Sequence, residues 1–348
     1  MVGLNLIFFK YEIGKVQAFQ PRLFDAYAVL DMTSLDTVAA EYRTITEACG
    51  LLDRSERGKL ALTGSDAASF LQGQVSNDVE RLTPGSGCYA AFLTPKGKML
   101  GDVRILQTGD ELLLDTERSA LQALFNMIRR FSLGYLVELH KRTLERGLLS
   151  LIGPESLDVV GNLPLPAEEH AHLPTSLADV SVRAIRTDVG IDLLCDRADT
   201  EPLRTWLLDA GAVPVAEAAA ECLRVERGRP RYGVDLDETV IPQEAGLNDR
   251  AVSFTKGCYV GQETVARLYY RGKPNRQLRG IRLTGQAEPG DELGFEGRTV
   301  GRITTVARSP RLGPIALAIV RREAEPGSTV SVGDGGEVTG EVTELPFG

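Results

Sequence analysis

Residues 256–263, Lys-Gly-Cys-Tyr-Val-Gly-Gln-Glu, gather an ammonium, a thiol, a phenol, an amide and a carboxylate within one short stretch. Gly257 and Gly261 frame the thiol and phenol, and glycine lets a backbone take positive φ or come close to a ligand. Small neighbours would leave the sulfur of Cys258 accessible, and Lys256 two residues before it supplies positive charge. Accessibility beside a cation lowers a thiol's pKa and makes it a nucleophile or a metal ligand. Tyr259 completes the loop, and Gln262 and Glu263 are expected to orient it rather than react. The competing reading is a tight turn around a small buried residue, because free cysteine is usually buried.

Other residues could serve a ligand. Asp102 follows the hairpin turn Pro95-Lys-Gly-Lys at the start of a strand, where a carboxylate could hydrogen-bond a nitrogen heterocycle. It could equally be an outward residue paired with Lys98 or Arg104. Tyr89 lies one residue into its strand and could stack on a flat ring or pack in the core. Asn77 and Asp78 come shortly before it. Arg224 and Glu226 are two apart on the last turn of a helix and so point to different faces. One could anchor a ligand while the other holds the next segment. Between 267 and 282 stand Arg267, Arg271, Lys273, Arg276, Arg279 and Arg282, with Tyr269, Tyr270 and no acid. Such a run suits a polyanionic tail or an RNA backbone, or forms a solvated interdomain face. His170 and His172 alternate and His140 is remote, so no metal site is expected. No P-loop, G-x-G-x-x-G, H-E-x-x-H or G-x-S-x-G occurs, which removes support for nucleotide-driven and common hydrolytic chemistry.

These residues need a scaffold. Helices are expected over 35–49, from Ser34 to a stop at Gly50, and over 65–71, 118–130, 200–210 and 216–228, the last two ending at Gly211 and Gly228. Strands are expected over 58–63, 88–93, 99–106, 111–115, 135–140, 148–152, 180–187 and 191–195. No βαβ period repeats, so the fold class is α+β. After Gln277, strands at 278–283, 298–308, 315–320 and 337–344 alternate with Gly, Pro and Asp, the pattern of a small β-barrel. Residues 162–174, with three prolines, read as an exposed connector.

A chain of 348 residues supports two or three domains. Hydrophobic content of 43% and charged content of 25% are those of a soluble protein. The net charge of −9 excludes non-specific attraction of nucleic acid by the whole surface. Five cysteines without a C-x-x-C argue for reduced thiols in a cytoplasm and against a resident four-cysteine cluster in one segment. A metal bound by Cys258 would then be held transiently or with a partner. The apolar start is too short to span a membrane, and residues 1–32 read as a flexible extension.

The order of Arg224-Val-Glu-Arg-Gly-Arg-Pro-Arg, then Ile241-Pro-Gln-Glu-Ala-Gly, then the 256–263 octet resembles the glycine-cleavage T-protein (aminomethyltransferase) superfamily from about residue 42 to about 322. The octet is similar to the signature of its YgfZ branch, folate-binding proteins tied to iron–sulfur cluster maturation and tRNA modification. That resemblance implies a folate-binding module over 33–250 of two intertwined ferredoxin-like parts, one roughly 58–130. It further implies a signature loop and connector over 251–276 and a C-terminal barrel over 277–348. It implies a tetrahydrofolate pocket near Asn77, Tyr89, Asp102, Arg224 and Glu226, with Cys258 at its mouth, activated by Lys256. Implied partners are iron–sulfur client proteins and assembly factors, with tRNA reached only through them and no membrane. Two departures matter. Gly101 replaces the first acid of the T-protein Gly-Gly-x-x-Asp-Asp segment, and Gly190-Ile-Asp lacks a glutamate that holds folate there. The alternatives are a working aminomethyltransferase and a non-enzymatic adaptor built on the same fold.

Overall fold

The computed structural model describes residues 35–333 and 337–348. The extension over 1–32 lies outside them. Among the described residues the strands form two sheets and a barrel. A five-stranded sheet runs in the order Gly87–Leu93, Met99–Gln107, Leu112–Thr116, Gly58–Thr63, Glu138–Lys141. A six-stranded sheet runs Val213–Pro214, Gly50–Asp53, Arg146–Ile152, Gly190–Asp196, Val180–Thr187, His172–Leu177. The first sheet is thus inserted in sequence between Gly50–Asp53 and its antiparallel neighbour Arg146–Ile152.

Strand alternation explains how the sheets stack. Successive side chains point to opposite faces. Leu60, Leu62, Ile105 and Leu114 therefore pack under the helices Ala67–Gln74 and Arg118–Phe131. The intervening Ala61, Leu106 and Leu113 meet Leu148, Ile185 and Leu194 of the other sheet. Each such large side chain taken from water contributes about 1.5–3 kcal/mol. The closed six-stranded barrel docks through Ala307, Ile315 and Leu317 against Tyr42, Cys222 and Val225 on the helices Leu35–Glu47 and Glu217–Glu226.

Four local differences from the sequence reading have physical causes. The helix expected over 65–71 runs Ala67–Gln74, with Asp66 rather than Ser65 at its N-cap. The connector expected over 162–174 is only partly exposed: Asn162, Pro164 and residues 166–168 are, but Leu165, Ala171 and His172 are buried, and the strand His172–Leu177 begins inside it. The helix Gln262–Arg271 was missed because glycine and proline on either side read as loop. The barrel strands Glu292–Phe295 and Thr329–Val332 are four residues each, too short for their alternation to register. Among the described residues no helix is long and apolar enough to cross a membrane.

Candidate functional site

A cavity of about 400 Å³ opens between the two sheets and the helix Glu217–Glu226. Tyr89 and Asp102 form one wall. Their strands pair with Ala91 opposite Asp102 and Tyr89 opposite Arg104, which sets the two side chains diagonally on one face. The Tyr89 hydroxyl donates to Asp102 Oδ2 at 2.6 Å. Burial pushes the Asp102 carboxyl up to about 6, against the pull of the Tyr89 hydrogen bond. Burial likewise raises the Tyr89 phenol well above its ordinary range, so it stays a donor. A buried carboxyl that titrates near neutrality is suited to hydrogen-bonding or proton transfer with a ligand nitrogen.

Arginines from other elements line the same cavity, most of them paired with acids: Arg54 and Arg231 with Glu217, and Arg229 with Asp188. Arg54 and Arg57 come from the turn between Gly50–Asp53 and Gly58–Thr63. Arg224 and Arg227 come from the end of the helix Glu217–Glu226, and Arg229 and Arg231 from the chain after it. Gly228 makes that chain reversal possible at φ +63°, where a Cβ would sit 2.6 Å from Leu345. Arg224 donates to Asp235 Oδ2 at 2.7 Å and to Glu221 Oε1 at 2.6 Å. Asp235 Oδ1 in turn accepts from Thr305 of the barrel at 2.7 Å, so Arg224 is held from two sides. Arg250 lies 5.2 Å from the centroid of the Tyr89 ring. Asn77 Nδ2 donates to the carbonyls of Tyr89 (2.8 Å) and Arg250 (3.3 Å), and so fixes both to each other without lining the cavity.

An adjoining chamber of about 220 Å³ shares Tyr89, Asp102 and Arg250 with this cavity. A chain of charges lines it. Arg57 Nε donates to Asp115 at 2.9 Å, Arg104 pairs with Asp115 at 2.8 Å and Asp192 at 2.6 Å, and Ser150 donates to Asp192 at 2.6 Å. Asp192 stands in the Gly190-Ile-Asp run singled out from the sequence. The two arginines hold the Asp115 carboxyl below its usual range.

The octet is built differently from the sequence expectation. Lys256 turns inward: its Nζ donates to the carbonyls of Gln72 (2.6 Å), Val75 (2.7 Å) and Asn77 (2.8 Å). It also lies 5.0 Å from the ring of Tyr259, which is buried against Leu93 and Val265. Lys256 is therefore a tether for residues 72–77, and its assignment as the group that activates Cys258 is corrected. Cys258 is exposed, as its small neighbours suggest, but it does not line the cavity. Glu226 does not line it either. Its carboxylate accepts from Tyr42 at 2.8 Å and from Ser309 and Arg311, which anchors the first helix and the barrel. Arg224 faces the cavity and Glu226 the anchor, as their spacing requires.

The two glycines separate as well. Gly261 takes φ +85° at the start of the helix Gln262–Arg271, and an added Cβ would sit 2.6 Å from the Thr94 carbonyl oxygen. Gly257 has open space around it and no positive φ. Gly261→Ala is thus expected to destabilise the protein by about 2 kcal/mol, and Gly257→Ala by less than about 0.5 kcal/mol. Urea unfolding of the two variants checks this, and equal midpoints would contradict it. Gln262 donates its backbone N–H to Tyr259 O at 3.2 Å, and Glu263 is an exposed acid in the helix's first turn, where the dipole favours it. The basic run divides: Arg276 pairs with Glu244 and Arg279 with Glu344, while Arg267, Arg271 and Lys273 are exposed on or after that helix, beside the stacked rings of Phe254 and Tyr269 (3.7 Å).

Sequence reasoning missed Arg54, Arg57, Arg229, Arg231 and Arg250. The Arg-Gly-Arg-Pro-Arg run was visible, but only the αL reversal at Gly228 shows that it lines a cavity.

Comparison with known proteins agrees with this architecture. Residues 12–256 match the GCVT N-terminal domain, and residues 276–347 match the glycine cleavage T-protein C-terminal barrel domain. The Arabidopsis thaliana protein named "Putative transferase At1g60990, chloroplastic" is 29% identical over 311 residues, which cover 85% of this chain and 71% of that protein. The crystal structure of the glycine cleavage system aminomethyltransferase T from Bartonella henselae shares the fold, with a TM-score of 0.80, 24% identity and 89% of each chain covered. Two matched domains in the expected order, spanning most of the sequence, place this chain in the glycine cleavage T-protein family.

Proposed function

We propose that this chain is a tetrahydrofolate-binding protein of the YgfZ type, which supports assembly or repair of iron–sulfur proteins, tRNA-modifying enzymes among them, in a reducing cytoplasm. The observation that supports this best is the cavity: a buried carboxyl with a phenol donor on one wall and an arginine-rich rim. The volume lies in the range of small-molecule sites. A pterin offers ring N–H groups that a carboxylate accepts, and Asp102 is the acceptor in place. The glutamate end of a folate carries carboxylates, and these would take the place of Asp188, which now pairs with the rim arginines Arg229 (3.0 Å) and Arg227 (3.7 Å). Tetrahydrofolate, when bound, supplies a carrier for one-carbon units. The chain's own groups then bind and orient: Tyr89 fixes the Asp102 carboxyl, Asn77 fixes Tyr89, and Arg224 fixes the rim.

Cys258 supplies the second half of the proposal. It is exposed on a loop whose neighbours Lys256 and Tyr259 are locked inward, so the sulfur is presented to a partner rather than to the cavity. Client proteins and assembly factors are the proposed partners. The rival transferase reading needs an acid at the Gly190 run that is free for folate. Here Asp192 is already held by Arg104 and Ser150. An assay with aminomethylated lipoyl protein and tetrahydrofolate separates the two, because ammonia release would favour the transferase.

The test is complementation of a strain lacking its YgfZ-type protein, reading the activity of an iron–sulfur tRNA-modifying enzyme. Wild type is expected to restore activity, and Cys258→Ser to lose it at equal protein level. Full activity with Cys258→Ser would remove the thiol from the account.

A further inference from the structure

The five-stranded sheet ends on Glu138–Lys141, which pairs on one side only, with Gly58–Thr63. Arg142 N–H donates to Lys59 O at 2.9 Å, one step beyond the Leu60–Lys141 pair. Antiparallel bonding alternates along a strand. The main-chain groups of 138, 140 and 142 therefore face the sheet, and those of Leu139 and Lys141 point away from it. Among the described residues this edge is open.

Apolar side chains crowd both ends of the edge. Leu133 and Leu136 before the strand are 81% and 71% exposed, and Leu144 after it is 82% exposed. They sit on fixed chain. Leu136 N–H donates to Asp66 Oδ2 at 2.8 Å, its carbonyl accepts from Asp66 N at 3.3 Å, and Tyr135 packs edge-on to Phe70 at 5.2 Å. The turn after the strand closes through Glu145 N–H to Arg142 O at 3.1 Å. Apolar residues held in place around an open edge are a template for another strand.

The match of side chains across the edge, the exposed leucines above all, decides which strand. In an antiparallel pairing of this edge with itself, outward-facing residues must oppose outward-facing residues. The register centred on His140 sets Leu139 opposite the partner's Lys141. It also sets Glu138 beside the partner's Arg142, whose guanidinium is held in place by Glu145 (2.8 Å) and Glu111 (3.4 Å), and brings Leu136 to the turn that carries the partner's Leu144. Shifting the centre to Leu139 would oppose Leu136 to the partner's Arg142 and lose both matches. We propose that two copies of this chain join their Glu138–Lys141 edges about a twofold axis through His140, making one continuous sheet across the dimer. Such an interface is isologous, so each favourable pair occurs twice.

The register gives a specific test on the full chain. In a Cys258→Ser background, His140→Cys places two thiols in a non-hydrogen-bonded pair with Cα atoms about 4.5 Å apart, within disulfide reach. Mild oxidation is expected to give a dimer band that dithiothreitol removes. Leu139→Cys, facing the other side of the sheet and opposite lysine, is expected to stay monomeric on the gel. Sedimentation velocity at micromolar concentrations should show the wild-type dimer. Lys141→Pro removes an outward N–H that no bond within the chain uses, and should weaken the dimer about tenfold or more. Leu144→Asp should do the same with melting unchanged, and Lys141→Ala, which loses the same contacts with Phe125 and Gln122 but keeps the N–H, should melt like Lys141→Pro and still dimerise. A monomer at all concentrations overturns the proposal, including the case where the edge instead recruits a strand of another protein. A dimer that ignores Lys141→Pro and Leu144→Asp and does not cross-link at 140 overturns it too.

Discussion

Lys256→Met is expected to be the most destabilising single change in the 256–263 octet, costing about 3 kcal/mol. The reason is the three carbonyls of Gln72, Val75 and Asn77, all within 2.8 Å of one ammonium. Methionine fills the space and donates nothing. Each buried carbonyl left without a donor costs about 1–3 kcal/mol, and partial rehydration at the loop edge offsets some of the sum. Burial also pushes the Lys256 pKa down to about 8. The sign follows from linkage: between pH 8 and the ordinary lysine range the unfolded chain holds the proton that the folded chain has released, so this group's contribution to stability rises with pH there. Because Asn77 clamps Tyr89 and Arg250, the damage should reach the cavity. Denaturant unfolding with a folate-binding readout checks both. A Lys256→Met protein as stable as wild type would show that the carbonyl cage contributes little.

Asp102→Asn is expected to stabilise the protein while weakening its ligand. The Asp102 carboxyl has a folded pKa raised to about 6, chiefly by burial. A raised carboxyl favours the folded state only while protonated. That contribution is whole below the unfolded pKa of about 4 and is lost as pH rises through 6. At neutral pH the wild type thus carries an ionised, buried group, and asparagine removes the charge while keeping an acceptor for the Tyr89 hydroxyl. The gain is about 1–3 kcal/mol at neutral pH and near zero at pH 4, read as the difference in unfolding free energy. Loss of a charged acceptor should weaken a pterin ligand roughly 10- to 100-fold. Stability traded against binding in this way marks a functional residue. Equal loss of both would mark Asp102 as purely structural.

Much of the scaffold can be read from the chain because its elements are local. The strand over 58–63 and that over 180–187 show their alternation in a few residues, and Gly211 and Gly228 announce the ends of helices. The barrel is legible from its punctuation, even though two of its strands are too short to see. The site is less legible, for a physical reason. Lys256 and Cys258 are two residues apart, and nothing in that spacing says that one ammonium finds acceptors about 180 positions earlier while the sulfur faces solvent. Glu226 looked like a ligand group beside Arg224, yet its partner Tyr42 is 184 positions away on the first described helix. Tyr89 and Asp102 were each visible on a strand. Only the antiparallel register turns them into a hydrogen-bonded pair on the cavity wall.

The most direct measurement is calorimetric titration of tetrahydrofolate into the purified, folded chain across pH 5 to 8. The account expects saturable one-to-one binding near neutral pH that weakens as Asp102 takes up its proton through about pH 6, with that pH dependence absent in Asp102→Asn. A folded wild-type protein that gives no binding heat, or one whose affinity ignores both pH and the Asp102 substitution, would contradict it.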